Sequence, residues 1–352
     1  MSRPVASPAD YWKRTVKWSG VEALRLEGYK VGVLHLHSSF SRDVPDLDGN
    51  RPEALLDKGI RQGADYIAIT DHDNDDAWRR AGHRPPCWIR GVEMEVFDRR
   101  RIGHPVHLGL LNIADDRLSD RLHEIAHERH DADRLVRTAL DNGVTVIANH
   151  PWWGPRGYHI NSVRYWHFIE KYRLPVEVND KRSLIENIAA VFYASHRNLP
   201  VVATTDSHTR KLLPTCTLAK GATIGEYLEN LRRGETYIVP GYAGLVSVPA
   251  MMARYVLDVI RRPLPADCYR QSPLRLGAAP LVDRIISLLS SNHVVGRCLR
   301  NPLVSGLAGP LTYLVGALLY LPTAYAASSL KVLRDLYERS ALSVPLPELI
   351  TE

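Results

Sequence analysis

The stretch VLHLHSSFSRD, residues 33–43, begins like a buried strand and ends in groups that an apolar core rejects. His35 and His37 stand two residues apart, and Asp43 follows six residues after the second. Leaving such side chains unpaired in a dry interior costs several kcal/mol each. A divalent cation would accept all three. That reading requires more ligands elsewhere in the chain, carried to one place by the fold.

Working outward, short β-rich runs alternate with helical ones from residue 31 to about 240. Strands are predicted at KVGVLHLH (30–37), ADYIAIT (64–70), WIRGVEMEV (88–96), PVHLGLL (105–111), VTVIANH (144–150), PVEVN (175–179), PVVATTD (200–206) and TYIVP (236–240). Helices are predicted between them, among others at 52–63, 118–143, 183–198 and 223–234, several ending in Gly or Asn as helix C-caps do. Near-continuous apolar strands separated by helices predict an α/β protein with a parallel sheet covered on both faces. Seven or eight such units favour a barrel over an open sheet. The chain is thereby divided into an N-terminal extension (1–30), a barrel (31–240) and a helical C-terminal region (241–352).

In a barrel, functional side chains gather at the C-terminal ends of the strands. The polar residues fall there. His35 and His37 share one face of their strand, because side chains alternate with period two. TDHDN places His72 just past a strand, GVEMEV carries Glu93, and VHLGLL carries His107. ANHP ends a strand at His150, and TTDSH ends another with Asp206 and His208. Six of the fifteen histidines therefore sit at strand ends beside three carboxylates, which is hard to obtain by chance. Imidazole and carboxylate without thiolate suit Zn²⁺, Mn²⁺ or Fe²⁺. Nine such groups exceed one coordination shell and suit two or three ions sharing a bridging carboxylate, for which Glu93 is the natural choice.

The ordered set HxH…D, TDH, GVE, HLGL, NHP and DSH resembles the PHP (polymerase and histidinol phosphatase) superfamily over about residues 31–240. The resemblance implies a distorted seven-stranded (β/α)7 TIM-like barrel, here with an all-helical C-terminal extension. It also implies that His35, His37, Glu93 and Asp206 hold one ion, Glu93, His107 and His150 a second, and Asp43, His72 and His208 a third. Asp43, His72, Glu93, Asp206 and His208 are the groups on which catalysis is expected to rest. One departure stands out. Many members read HxHTxxSDG, whereas here Arg42 occupies the aspartate's place and Asp43 lies one residue later.

Clustered divalent ions lower the pKa of bound water, screen phosphate charge and stabilise the leaving oxygen. The expected activity is hydrolysis of a phosphomonoester, or of a nucleotide or oligonucleotide end, by a metal-bound hydroxide. No GxSxG elbow or P-loop competes with that reading. Arg156, Lys181, Arg182 and Arg210 follow ligand-bearing or neighbouring strands and are the candidate phosphate contacts, since cations at the rim grip phosphate. Glu177 and Asn179 are read as partners of the imidazoles or as substrate contacts, and Trp152 and Trp153 as packing or stacking residues. Asp71 and Asp73 flank His72, either orienting it or capping the following turn. His123, His127 and His130 are read as mid-helix surface residues. Three alternatives remain: an amidohydrolase-type barrel, a nuclease acting on 5′ ends, and a non-catalytic metal-binding regulator tethered to a membrane.

Composition bounds these readings. The net charge of +6 lies in the flanks, with six basic against three acidic residues in 1–30 and eleven against seven in 241–352. Such flanks suit nucleic acid, an anionic membrane or simple solvation. Four scattered cysteines without a CxxC pair fit a reducing compartment, and the N-terminus shows no apolar signal segment, so a cytoplasmic location is expected. Residues 301–330 contain no charged side chain and are long enough to span a bilayer, yet Pro310, Pro322 and three tyrosines interrupt them. That stretch is read as a buried hairpin, a membrane span or an interfacial attachment.

Overall fold

A computed structural model describes residues 13–153, 162–243 and 247–262, with Asn301, Leu307, Pro310 and Leu314. Nine strands form one sheet: β1 (Tyr29–Val33), β2 (Tyr66–Ile69), β3 (Trp88–Val96), β4 (Val106–Leu111), β5 (Thr145–Ala148), β6 (Val176–Asn179), β7 (Val201–Thr204), β8 (Cys216–Lys220) and β9 (Thr236–Val239). Their spatial order is β7-β6-β5-β4-β3-β2-β1-β8-β9. The sheet curls until its two ends approach. Beyond β1, Leu36 pairs with Ser207 in a parallel bridge, and the His37 N–H donates to the Ser207 carbonyl at 3.0 Å. The Thr217 hydroxyl of β8 accepts from Ala203 N–H at 2.8 Å and donates to the Ala203 carbonyl at 3.0 Å. The result is a nearly closed barrel.

Two expectations need correction. The sheet is mixed: β3/β4, β4/β5, β1/β8 and β8/β9 pair antiparallel, and the remaining neighbours pair parallel. Only β4 and β8 run against the other strands, so seven strands share one direction. β4 reverses because residues 97–105 join it to β3 without the crossover helix that a parallel pair needs. β8 was not anticipated from sequence. Its run CTLAK is short and ends in an exposed lysine, although Cys216, Leu218 and Ala219 are buried.

The helices among the described residues are α1 (Val21–Leu26), α2 (Pro52–Arg61), α3 (Asp76–Arg79), α4 (Asp116–His123), α5 (Ala132–Asp141), α6 (Ser162–Tyr172), α7 (Leu184–His196), α8 (Ile224–Arg232) and α9 (Ser247–Arg261). Local chemistry explains their starts. α2 opens on Pro52, whose missing N–H is no loss at a first turn. Ser183 and Glu186 form a reciprocal capping box on α7. Asp131 caps α5 by accepting from Arg134 N–H at 2.9 Å. That cap splits the single helix predicted over 118–143. After α4 the chain makes a π-turn (Glu124–Glu128), His130 takes φ +50°, and a new helix starts.

The core lies between the sheet and this helical layer, where Met94, Leu108, Val146 and Val176 of the strands meet Leu122, Leu135, Ile169 and Ala194. On the other side of β1 there is no room for a side chain. A Cβ at Gly32 would stand 2.0 Å from the Tyr227 hydroxyl and 2.7 Å from Tyr227 Cζ. Tyr227 is fully buried, and its hydroxyl donates to the Thr217 carbonyl at 3.0 Å. Gly32→Ala is therefore expected to destabilise the protein by ~1–3 kcal/mol, read as a lower urea midpoint at unchanged slope.

Of the predicted C-terminal extension, α9 is described and packs on the barrel. Tyr255 donates its hydroxyl to the Asp43 carbonyl at 2.6 Å, and Asp258 pairs with Arg210 at 2.6 Å. No helix among the described residues is long and apolar enough to cross a membrane. The 301–330 stretch, apart from four isolated positions, lies outside the described residues.

Candidate metal centre

The strand–loop geometry brings all nine candidate ligands to one end of the barrel, each buried. Glu93 is at the middle. Its Oε1 lies 3.2 Å from His35 Nε2, 3.2 Å from His107 Nδ1 and 3.0 Å from His150 Nε2. Its Oε2 lies 3.4 Å from His37 Nε2 and 3.1 Å from His72 Nδ1. Asp206 Oδ1 faces His37 Nε2 at 3.3 Å and His35 Nε2 at 3.6 Å. Asp43 Oδ2 faces both His72 Nε2 and His208 Nε2 at 3.1 Å.

Three groups have ligand atoms within 4.8 Å of one another: His35, His37, Glu93 and Asp206; His37, Asp43, His72 and His208; and His72, Glu93 and His107. The first coincides with the set implied by the resemblance. In the second, His37 joins the expected trio. In the third, His72 stands where His150 was expected, although His150 still reaches Glu93. His107 arrives by an unexpected route. It is the second residue of β4 rather than near a strand's C-terminal end, and the reversal of β4 places it opposite Glu95 at the mouth.

Buried polar atoms in folded proteins nearly always have hydrogen-bond partners. Here Asp43 Oδ2, His72 Nδ1, Glu93 Oε2, His107 Nδ1, His150 Nδ1 and His208 Nε2 have none. Most of these atoms converge on one another without hydrogen-bond geometry, as atoms directed at a cation do. The donor set fits a divalent ion. Charge points the same way. Burial opposes ionisation of Glu93, but His35, His107 and His72 outweigh it and hold its carboxyl well below the usual range. Asp43 is held down against burial by His72 and His208, and Asp206 by His35 and His37. Burial pushes the His72 and His150 imidazoles down, toward the neutral form that ligates. At His35, His37 and His107 the neighbouring carboxylates outweigh burial and hold the proton, raising His37 to about 9 and His107 to about 10.

Outer contacts orient the ligands. Glu177 Oε1 accepts from His35 Nδ1 at 2.6 Å and from the Thr204 hydroxyl at 2.5 Å. Its Oε2 accepts from His150 N–H at 2.6 Å and Asn179 Nδ2 at 3.0 Å. A carboxylate on one imidazole nitrogen fixes the ring so that the other nitrogen faces the metal site. Asn149 Nδ2 donates to Glu93 Oε1 at 2.9 Å, and Asn179 Nδ2 to Asp206 Oδ2 at 3.3 Å. Asp71 accepts from the Ser38 N–H and hydroxyl, both at 2.6 Å, and so pins the turn after the HxH strand instead of touching His72. His150 and Asp206 take φ of +26° and +46°, a backbone strain typical of functional sites.

Of the 123–130 histidines read as surface residues, His127 and His130 are exposed and His123 is half-buried, and two of the three also contact Asp73. His123 Nε2 donates to the Asp73 carbonyl at 3.0 Å, and His127 Nε2 lies 3.2 Å from Asp73 Oδ1. Arg42 Nη1 donates to Asp73 Oδ2 at 2.8 Å. Burial opposes the Asp73 charge, but His127, Arg42 and the Glu95 N–H bring its carboxyl down to about 2. Sequence reasoning missed this rim because its members come from three separate elements. The π-turn that sets His127 beside Asp73 has no local signal. Trp152 is buried against Trp166 and Tyr193, whereas Trp153 lies against His107 with ring centroids 4.1 Å apart and planes tilted by 37°.

The four candidate phosphate contacts fare differently. Lys181 is bonded to the buried Asp180 at 2.6 Å. Arg182 is half-buried, and its positive charge is felt at His150. Arg210 is held by Asp258 of α9. Arg156 lies outside the described residues.

No protein-family model matches the chain, and no curated protein matches it significantly. Solved structures do. A two-domain protein from Bacteroides vulgatus, containing a predicted PHP-like metal-dependent phosphoesterase, is 19% identical over 60% of this chain and 65% of its own, with a TM-score of 0.43. The lesion-specific endonuclease PfuEndoQ from Pyrococcus furiosus is 14% identical over 60% of this chain and 57% of its own, with a TM-score of 0.42. PsfC from Pseudomonas syringae is 17% identical over 60% of this chain and 92% of its own, with a TM-score of 0.41. The match thus spans less than two thirds of the first two.

Proposed function

We propose that this protein is a metal-dependent phosphoesterase of the PHP kind, hydrolysing a phosphomonoester or a terminal phosphodiester. The observation that carries this is the set of buried imidazole and carboxylate atoms that face one another without hydrogen bonds. Two or three divalent ions, Mn²⁺, Zn²⁺ or Fe²⁺, would be held by His35, His37, Asp43, His72, Glu93, His107, His150, Asp206 and His208. Bound there, such ions supply an activated water and neutralise phosphate charge.

The chain's own residues do the rest. Glu177 and Asn149 keep His35, His150 and Glu93 in one orientation, so that little reorganisation is needed at the reacting centre. Arg182, just past the end of β6, binds the phosphate oxygens. Trp153 covers His107 and excludes water on that side. Asp43, His72, Glu93, Asp206 and His208 carry the activity through the ions they hold.

Full-length protein loaded with Mn²⁺ or Zn²⁺ is expected to hydrolyse p-nitrophenyl phosphate or bis(p-nitrophenyl) phosphate, and His35→Ala to lose that turnover. Absence of turnover in the loaded wild type on both ester classes, or its persistence in His35→Ala, would overturn the reading.

A further inference from the structure

A pocket of about 480 Å³ opens between the loops after β6 and β7 and helix α9. Lys181, Lys211 and Arg254 line it together with Asp180, Thr209 and Met251. Three cations therefore face a single carboxylate. That carboxylate is not offered to solvent. The Asp180 side chain is fully buried and takes Lys181 Nζ on Oδ1 at 2.6 Å and Lys211 Nζ on Oδ2 at 2.5 Å. Asp180 thus acts as a bracket that aims two ammonium groups, each of which keeps further donor hydrogens for a ligand. Arg254 comes from the opposite wall and brings a planar donor fork suited to phosphate or carboxylate oxygens.

The pocket's position is set by the chain. Thr209 follows the candidate ligand His208. Lys181 lies two residues past Asn179, which donates to Asp206. Arg254 precedes Tyr255, whose hydroxyl holds the Asp43 carbonyl. The pocket is thus an annex to the Asp43–His208 edge of the centre, large enough for the non-reacting end of a small molecule.

Resting on the phosphoesterase reading, we infer that Lys181, Lys211 and Arg254 form a subsite for a second anionic group of the substrate. The preferred substrate is then a compact molecule with one phosphoester at the metal centre and another phosphate or a carboxylate a few bonds away. A neutral alcohol leaving group leaves this subsite unused. Arg210, held by Asp258, fixes the wall that carries Arg254.

Titration calorimetry on the full chain, with two non-hydrolysable probes, tests the assignment without requiring turnover. The probes are butylphosphonate and butane-1,4-diylbisphosphonate, with bisphosphonate homologues of shorter and longer spacer. The best-fitting bisphosphonate is expected to bind about tenfold tighter than the monophosphonate, as one added charge-assisted contact allows. Lys211→Gln with Arg254→Gln should erase most of that advantage and leave butylphosphonate binding unchanged. Arg254→Gln alone, at an exposed helix position, should erase part of it and guards against a folding defect. Bisphosphonates that bind no better at any length, or an advantage that survives in the double variant, would overturn the subsite. Tight binding of inorganic phosphate that the double variant loses, with the two phosphonates indistinguishable, would overturn it in favour of a free anion. A chain that passes these titrations yet cleaves no ester contradicts the phosphoesterase reading alone.

Discussion

Glu93→Gln is expected to abolish high-affinity divalent metal binding and to lower turnover by about three orders of magnitude, the several kcal/mol that metal ions contribute to a phosphoryl transition state. The substitution keeps volume and removes one charge. That charge stands within 3.0–3.4 Å of five imidazoles, so no other side chain in the centre has comparable reach. Glu177→Gln makes the informative contrast. Glu177 touches His35 through Nδ1 and stands one shell outside the ligand atoms. Its loss is expected to cost only about 10–100-fold in affinity or rate, with metal still bound. Metal content by plasma emission spectroscopy and kcat on the same samples would read both. Equal losses for the two variants would mean that Glu93 does not bridge ions. Full activity in Glu93→Gln would end the metal reading itself.

Chelation should have the second large effect, on stability as well as on rate. Asp43, Glu93, Asp206 and Glu177 are all buried, and a buried charge is tolerated only when paired. Without ions, these carboxylates have imidazoles as their main compensation. A ligand present at 100 times its dissociation constant adds about 2.7 kcal/mol to folding stability. For a domain of this size that is a rise in Tm of roughly 5–10 °C. Scanning calorimetry before and after dialysis against EDTA, then after Mn²⁺ or Zn²⁺ is restored, would show a reversible fall of this order. An unchanged Tm in protein proven free of metal would indicate that the polar groups satisfy one another.

Much of the candidate centre's geometry was legible in the chain because its residues are tied to strand ends. HxH reads as two groups on one strand face whatever the rest of the molecule does. TDH, NHP and DSH each couple a β-run to a polar stop. The barrel followed from the same alternation. What could not be read depends on direction and on distance. Nothing in PVHLGLL announces that β4 runs backwards, since an apolar strand has the same pattern in either sense; the only signal was the link 97–105, too short for the crossover a parallel pair needs. β8 escaped because CTLAK gains its strand character from β1 and β9 on its two sides. The regrouping of His72 with His107 was not legible either, because the two residues lie 35 positions apart, one just past β2 and the other in β4, and come together only around Glu93.

Tyr255 on α9 closes a loop of a different kind. Its hydroxyl grips the backbone of the residue whose carboxylate joins His72 and His208, across 212 positions of sequence. The barrel alone therefore does not hold every contact that fixes its own candidate ligands. A fragment trimmed to the nine-stranded sheet would retain every candidate ligand and still lose the tether that fixes one of them, along with one wall of the pocket beside it.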